Sequence, residues 1–185
     1  STDIDDRPDG DGGCSLFSVQ REGAKICGQT WDMHASATPH MTHLRIKTPE
    51  RPRADILTVN GCVGLSGINE QGVCVFINNL HCSETGSGFM WPALVRVMLW
   101  QESAAKAVAY LNSNLPSSGH NYLICDSEEA YDVETTGARA ETVQATKRSE
   151  SGKIFHTNHY VGSLGSSEIL KRRSATTLDR LESLK

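Results

Sequence analysis

The chain has 185 residues, a formal net charge of −4 and 22% charged residues. Its length suits one domain with a sizeable core. Its slightly acidic balance excludes the large basic surface typical of nucleic-acid-binding or membrane-surface proteins. No apolar run is long enough to span a membrane, and we expect no signal peptide and neither nucleic-acid nor membrane partners.

Taken in order, residues 1–13 are polar and acidic, and we expect them to be mobile. Turn residues and runs of β-prone residues predict the strands, whereas apolar residues at helical spacing after Pro92 and near the C-terminus predict two helices. The predicted strands cover 14–20, 24–30, 43–47, 55–60, 62–66, 73–79, 120–125, 129–134, 139–145 and 153–156, and the helices cover 93–111 and 167–185. This order predicts an α+β domain with a largely antiparallel sheet.

The six cysteines do not have the spacing of a disulfide or zinc framework. Cys27, Cys62, Cys74 and Cys125 lie within or beside apolar strand-like runs, where free thiols behave as small buried hydrophobic groups. No CxxC pair occurs, so a redox or thiol–metal module is poorly supported. We therefore expect no metal and no cofactor, and we favour a reducing, cytoplasmic location.

The junction between Gly13 and Cys14 is the feature with the strongest chemical implication. Glycine gives the backbone the freedom that Cys14 needs to turn back on the carbonyl carbon of Gly13. Cleavage there would leave a thiol and a free α-amine on one residue, which could then supply both the nucleophile and its base. The alternative, an ordinary strand cysteine after a loop, stays open at this point.

Five segments in one order carry a resemblance to a known family. They are Cys14, residues 28–32 (GQTWD), 67–73 (GINEQGV), 78–81 (NNLH) and 156–159 (HTNH). The set resembles the acyl-coenzyme A:isopenicillin N acyltransferase family of Ntn hydrolases and, more distantly, bile-salt and penicillin V hydrolases. The resemblance implies a four-layer αββα sandwich, autocatalytic cleavage between Gly13 and Cys14, and chemistry on a linear amide C–N bond.

The resemblance also implies roles for particular residues. Cys14 would be the nucleophile, and Asp32 would hold its α-ammonium or a bridging water. Asn158 would be the oxyanion-hole amide, and Asn78 or Asn79 would supply an oxyanion or positioning amide, with the choice between them open. The competing interpretations are a turn carboxylate for Asp32 and a turn-forming amide for Asn158.

Three further residues are weaker candidates for a substrate pocket. Trp31 and Phe76 could line an acyl pocket, although core packing explains each of them as well. Arg173, together with Ser167, resembles a Ser…Arg pattern of the family. His156 and His159, which flank Asn158, are interpreted as structural, because an α-amine base makes a histidine base redundant.

The resemblance divides the chain into a residual pro-segment, 1–13, and an Ntn-hydrolase domain, 14–185. Family members continue beyond the segment that matches Lys185, so we expect the domain to be incomplete at its C-terminus. The partners expected are a small-molecule amide substrate and either the cleaved pro-segment or the missing C-terminal part. A homo-oligomer stays open.

The expected reaction is hydrolysis of an N-acyl amino acid, a small peptide or a penicillin-like side chain through an acyl-enzyme. Acyl transfer from coenzyme A is the first alternative. It ranks second because the sequence has no phosphate-binding glycine-rich loop, and its one basic run, 171–173, is typical of a solvated helix face. The other alternative is an unprocessed, inactive domain.

Overall fold

The computed structural model describes residues 13–21, 24–33 and 35–185. These residues form two antiparallel sheets and three α-helices. The smaller sheet has the order β10–β1–β2, and the larger sheet runs from β3 to β9 in sequence order. The strands are β1 (Ser15–Arg21), β2 (Ala24–Thr30), β3 (Met41–Thr48), β4 (Arg51–Val59), β5 (Ser66–Asn69), β6 (Cys74–Asn79), β7 (His120–Cys125), β8 (Glu129–Thr135), β9 (Ala140–Lys147) and β10 (Gly152–His156).

The larger sheet is covered on both faces, and the alternation of its side chains separates two cores. Val75 and Ile77 of β6 pack with helices α1 (Trp91–Met98) and α2 (Ala104–Ser113). Phe76, one position out of phase, packs instead with residues of the smaller sheet such as Leu16. Helix α3 (Thr177–Leu184) lies against β10 of the smaller sheet. The predicted α+β fold with mostly antiparallel sheets in an αββα sandwich is confirmed.

The single helix predicted over 93–111 is wrong, because the structure has two helices there. Asn69 donates from its side-chain nitrogen to the carbonyl oxygens of Leu99 and Gln101, which satisfies backbone groups where α1 ends. Ser103 then caps α2 by accepting from the backbone N–H of Lys106 at 3.2 Å. A side chain from a distant strand and a local cap together interrupt the apolar periodicity.

Two other predicted elements also differ. The terminal helix predicted over 167–185 is α-helical only in α3, and the residues before it form short 3₁₀ turns at Ser163–Ser167 and Leu170–Arg172. The backbone N–H of Ile169 donates to the carbonyl oxygen of His81 at 2.8 Å. This hydrogen bond to a distant residue keeps the segment from continuing as an α-helix. The strand predicted over 62–66 is also wrong, because residues 62–65 are irregular and β5 begins at Ser66, the last residue of that range.

Of the segment 1–13 that was predicted to be mobile, residues 1–12 lie outside the described residues, whereas Gly13 lies within them. No helix in the described part of the chain is long and apolar enough to cross a membrane.

Candidate active site

Cys14 lies immediately before β1, and its side chain is buried, with 8% exposure. Burial raises the pKa of the Cys14 thiol above its ordinary value. Hydrogen bonds with the Asp32 backbone and the Gln29 side chain, and the charge of Arg180, act in the opposite direction without cancelling the effect of burial. Since the thiolate is the nucleophilic form, this cysteine needs a nearby group that takes its proton.

Asn158 is brought directly onto Cys14. The backbone N–H of Cys14 donates to Oδ1 of Asn158 at 2.7 Å, and Arg180 Nη2 donates to the same oxygen at 3.0 Å. The amide nitrogen of Asn158 donates to the carbonyl oxygen of Asn79 at 3.1 Å. Two donors and one acceptor fix the orientation of this amide. Asn158 thus holds the nitrogen that cleavage would convert into the α-amine, and its role as an oxyanion donor stays a prediction.

The loop that carries Asn158 is fastened to the start of α3. The backbone N–H of Asn158 donates to Thr177 Oγ1 at 2.8 Å, and Thr157 Oγ1 donates to the Thr177 carbonyl oxygen at 2.9 Å. Thr177 is fully buried. His159 packs against the same threonine, and burial lowers its pKa to about 4, so it stays neutral near pH 7. The loop is therefore held by neutral hydrogen bonds on this side.

A buried ion pair fixes the other side of the loop. His156 Nε2 lies 2.9 Å from Glu134 Oε1, and both side chains have 0% exposure. Its Nδ1 lies 2.8 Å from the carbonyl oxygen of Thr157, so both ring nitrogens face acceptors and the imidazolium form fits this position. Glu134 also accepts from the backbone N–H groups of Val161 and Gly162 at 2.6 and 3.1 Å. His156 thus supports the loop in the structural role that the sequence indicated, and its two acceptors favour the cationic form.

The structure separates the two adjacent amides at the end of β6. Asn78 is fully buried, and its Nδ2 donates to the carbonyl oxygens of His156 and Thr157 at 3.2 and 2.9 Å. Asn79 is exposed, and its backbone oxygen is the acceptor for Asn158. Asn78 therefore holds the main chain of the loop that carries Asn158, whereas Asn79 contributes to the site through its own main chain.

Gln29, which the sequence reasoning did not select as a site residue, joins the two sheets beside Cys14. Its Oε1 accepts from the backbone N–H of Ile77 at 3.2 Å, and its Nε2 donates to the carbonyl oxygen of the same residue. Its side chain also acts on Cys14, where it lowers the pKa of the thiol against the larger effect of burial. The available signal was its place two residues before Trp31 in the GQTWD segment.

Arg180 is the second residue that sequence reasoning missed. Its Nη1 donates to the carbonyl oxygen of Cys14 at 2.5 Å and to Ser15 Oγ at 3.0 Å. Nε donates to Thr176 Oγ1 at 3.1 Å, so the guanidinium is oriented from its own helix. The available signal was helical spacing, since Arg180 lies one turn after Thr176 and Thr177.

Arg173 and Ser167 are placed elsewhere. Arg173 Nη1 lies 3.7 Å from Glu168 Oε2, and Ser167 Oγ donates to Glu84 Oε1 at 2.8 Å. Neither contact involves a residue that touches Cys14. Their role in substrate binding stays a prediction, and no contact among the described residues supports it.

The remaining candidates surround Cys14 less tightly. The Asp32 carboxylate is exposed and accepts from the backbone N–H of Gly13 at 3.4 Å. Trp31 is half-buried next to it, whereas Phe76 packs into the core between the sheets. A Cβ atom built on Gly13 would lie 2.5 Å from both Arg180 Nη2 and Asn158 Oδ1. A side chain at position 13 would therefore displace Arg180 or Asn158 from this hydrogen-bond network.

Comparison with known proteins gives one family match. The family model described as acyl-coenzyme A:6-aminopenicillanic acid acyl-transferase matches residues 19–185, which confirms the resemblance found in the sequence. The match begins after Cys14, so the place of Cys14 in the site depends on the contacts described above. No curated protein matches the chain.

Among solved structures, penicillin V acylase from Agrobacterium tumefaciens is similar, with 11% sequence identity and a TM-score of 0.48. The match covers 78% of this chain and 49% of that structure. The chain thus spans about half the length of that acylase.

Proposed function

Because the chain belongs to the acyl-coenzyme A:6-aminopenicillanic acid acyl-transferase family, we propose that it is a self-processing amidohydrolase with Cys14 as its N-terminal nucleophile. Membership indicates an enzyme of the acyltransferase and amidohydrolase kind. The observation that carries the finer proposal is the 2.7 Å hydrogen bond from the Cys14 N–H to Asn158 Oδ1. It supports the proposal because it fixes the nitrogen of the scissile bond in the residue that also carries the thiol.

In the processing step, the Cys14 sulfur attacks the carbonyl carbon of Gly13. An S–C bond forms, the C–N bond breaks, and the nitrogen takes the thiol proton to become the α-amine of Cys14. Water then hydrolyses the thioester, which releases the Gly13 carboxylate and regenerates the thiol. The contacts of Gly13 with Asn158, Arg180 and Asp32 support this geometry, since any side chain at Gly13 would collide with the first two.

In turnover, the Cys14 thiol attacks the carbonyl carbon of a linear amide, and its own α-amine takes the thiol proton and passes it to the leaving amine. Water hydrolyses the resulting thioester. Asn158 Oδ1 accepts a hydrogen bond from the α-amine, and Asp32 stabilises the ammonium form. Arg180 holds the Cys14 carbonyl oxygen, which keeps the residue from rotating away once its peptide bond is cut.

Acyl transfer to an amine is the second candidate, and the name of the matching family favours it. The same thioester serves both reactions, because either water or a second amine can attack it. Transfer requires a site that holds the amine and excludes water, whereas hydrolysis requires no acceptor site. We therefore place hydrolysis of N-acyl amino acids, small peptides or penicillin-like side chains first.

The test combines mass spectrometry with an acyl-amide assay on the full chain. The chain should lose residues 1–13 on incubation, and the processed protein should release free acid from a chromogenic acyl amide. Cys14→Ala should do neither, while Cys62→Ala, which alters a thiol in the turn after β4, should do both. Addition of 6-aminopenicillanate distinguishes the reactions: faster transfer than hydrolysis would favour the second candidate. An intact Gly13–Cys14 bond in an active protein would contradict the mechanism.

A further inference from the structure

Three cysteines that the site does not use meet between the two sheets. Cys27 of β2, Cys74 of β6 and Cys125 of β7 have sulfur atoms that all lie within 4.8 Å of one another. The Cys125 and Cys27 sulfurs are 3.2 Å apart. We call these three side chains the trithiol cluster. From this geometry we propose that the trithiol cluster binds one Cu(I) ion, a soft metal ion that prefers sulfur ligands.

The backbone places these thiols together without help from an ion. Cys74 and Cys125 are directly opposite each other in the antiparallel pairing of β6 and β7, so their side chains leave the same face as neighbours. Gln29 bonds to Ile77, which aligns β2 with β6 across the gap between the sheets. Cys27 lies two residues before Gln29 and shares its face of β2. The trithiol cluster is thus fixed by two strand registers and one cross-sheet contact.

The cluster is separate from the candidate active site. Cys74 is the first residue of β6, whereas the contacts of β6 with Gln29 and Asn158 involve its last three residues. The two groups therefore lie towards opposite ends of one strand. A metal bound to the trithiol cluster would have no direct contact with Cys14.

The arrangement suits a three-coordinate ion. Three sulfur atoms that surround a metal in a plane, each about 2.3 Å from it, lie about 4 Å from one another. The sulfur atoms of the trithiol cluster are 3.2 Å apart for Cys27 and Cys125 and all within 4.8 Å of one another, so small side-chain shifts reach that spacing. No fourth histidine, cysteine, aspartate or glutamate of the described residues joins the group. Structural zinc is almost always four-coordinate, whereas soft thiolate ligands select Cu(I), which accepts three sulfur ligands.

Access and charge also support binding. Cys27 and Cys74 are half-buried, so an ion can reach them from one side, while Cys125 is fully buried and closes the other. Lys25, on the same face of β2 as Cys27, donates to the carbonyl oxygen of Asp126 at 2.8 Å and brings a positive charge beside the cluster. Binding forms three S–Cu bonds and releases three thiol protons to water. No electron is transferred, because the copper enters as Cu(I).

The direct test is an anaerobic titration of the full chain with Cu(I), in competition with the chelator bathocuproine disulfonate. All variants carry Cys14→Ser, so that the proposed nucleophile does not contribute a ligand. We expect one tightly bound ion per chain. Loss of a residue that only supports a metal ligand typically weakens metal binding by about 10–100-fold. Cys27→Ser and Cys74→Ser each remove a ligand itself, so each should weaken Cu(I) binding by more than that. Cys62→Ser is the matched control and should bind as the parent does.

A second measurement does not depend on whether the variants fold. X-ray absorption at the copper edge of the Cys14→Ser parent should show three sulfur neighbours at about 2.3 Å. Two sulfur neighbours, nitrogen or oxygen ligands, or undiminished binding by Cys27→Ser would overturn the proposal. So would a Cys27–Cys125 disulfide, if mass spectrometry finds it in place of bound copper in the anaerobic sample.

Discussion

The backbone N–H of Cys14 donates to the side-chain oxygen of Asn158 at 2.7 Å, across 144 positions of sequence. This contact connects the residue immediately before β1 with the loop that follows β10. The loop in turn is held by Thr177 of α3 and by Glu134 of the larger sheet. Both sheets and the last helix therefore converge on the nitrogen of the bond that we propose is cut.

The first prediction concerns Asn158. Asn158→Ala removes the acceptor of the Cys14 N–H and a partner of Arg180. We expect turnover of an acyl amide to fall by about 10²–10³, the scale found when one positioned hydrogen-bonding group of a catalytic site is lost. Steady-state kinetics of the processed protein measure this. Asn112→Ala, an exposed amide in α2, is the control. Unchanged turnover in a folded Asn158→Ala protein would remove Asn158 from the site.

The second prediction concerns Gly13. In Gly13→Ala the new methyl group would meet Arg180 Nη2 and Asn158 Oδ1 at 2.5 Å, so one of these groups must move. Displacing a hydrogen bond to a charged group costs about 1.5–3 kcal/mol, which corresponds to processing slowed by about 10–100-fold. Intact mass against time measures the rate. Gly165→Ala, where the nearest atom lies at 3.5 Å, should process normally.

The third prediction separates two arginines. Arg180→Lys loses the two-nitrogen contact with the Cys14 carbonyl oxygen and Asn158 Oδ1, because a lysine ammonium cannot reproduce a planar fork. We expect the rates of processing and of turnover each to fall about tenfold or more, which is the effect of losing one charge-assisted hydrogen bond. Arg173→Lys should leave both rates within about twofold, since Arg173 pairs with Glu168 away from Cys14. The reverse order of effects would place Arg173 in the site.

Much of the fold was predictable because it depends on local pattern. Runs of β-prone residues predict strands such as β1 and β6, and turn residues between consecutive strands predict antiparallel neighbours. The interruption between α1 and α2 was not predictable, because the group that satisfies the end of α1 is Asn69, thirty residues earlier in the chain. Local periodicity does not contain such a partner.

The residues of the candidate site were predictable where they belong to ordered motifs. They were not predictable where only packing brings them to the site. Cys14, Asp32 and Asn158 belong to segments with a recognisable order. Arg180 belongs to no such segment, and it reaches Cys14 only because α3 packs against the loop that carries Asn158. The trithiol cluster has no motif at all, since its cysteines come from three strands of two sheets. Only the strand registers bring them together.

The fourth prediction concerns the buried pair of His156 and Glu134. Burial acts against the imidazolium, but the charges of Asp132 and Glu134 outweigh it and raise the pKa of His156 above its unfolded value of about 6.5. A folded pKa above the unfolded one means that this stabilisation is complete below about pH 6.5 and is lost as pH rises through the folded pKa. Burial also raises the pKa of Asp132 to about 6, so the stability change linked to this carboxyl falls between about pH 4 and pH 6, below the range in which His156 loses its proton.

The measurement is the free energy of unfolding in urea between pH 6 and 9. His156→Gln should destabilise the protein by about 3–5 kcal/mol at pH 6, because Glu134 is left buried without its charged partner. The difference from the parent should shrink as pH rises. His43→Gln, which alters an exposed histidine beside Asp55, should leave the free energy of unfolding nearly unchanged. A difference for His156→Gln that grows with pH would contradict a protonated His156.

The last prediction concerns Asp32, whose carboxylate accepts from the Gly13 N–H before cleavage. After cleavage, the ammonium group of Cys14 becomes the nearest new cation to this carboxylate in the proposed mechanism. A nearby negative charge favours the ammonium form and so raises the pKa of the amine. It also raises the pKa of the Cys14 thiol. Asp32→Asn should therefore lower both pKa values, and solvent should limit each change to about one pH unit, because the carboxylate is exposed.

The rise of kcat/KM on the acid side of its pH profile reports the base that must lose a proton. In Asp32→Asn that rise should move to lower pH, while the maximum falls because the ammonium intermediate loses its counter-charge. Profiles between pH 5 and 10 on processed protein measure both effects. Glu129→Gln, a carboxylate at the start of β8, is the control and should leave the profile unchanged. A shift to higher pH would mean that Asp32 does not act through charge on Cys14, and the turn interpretation would stand.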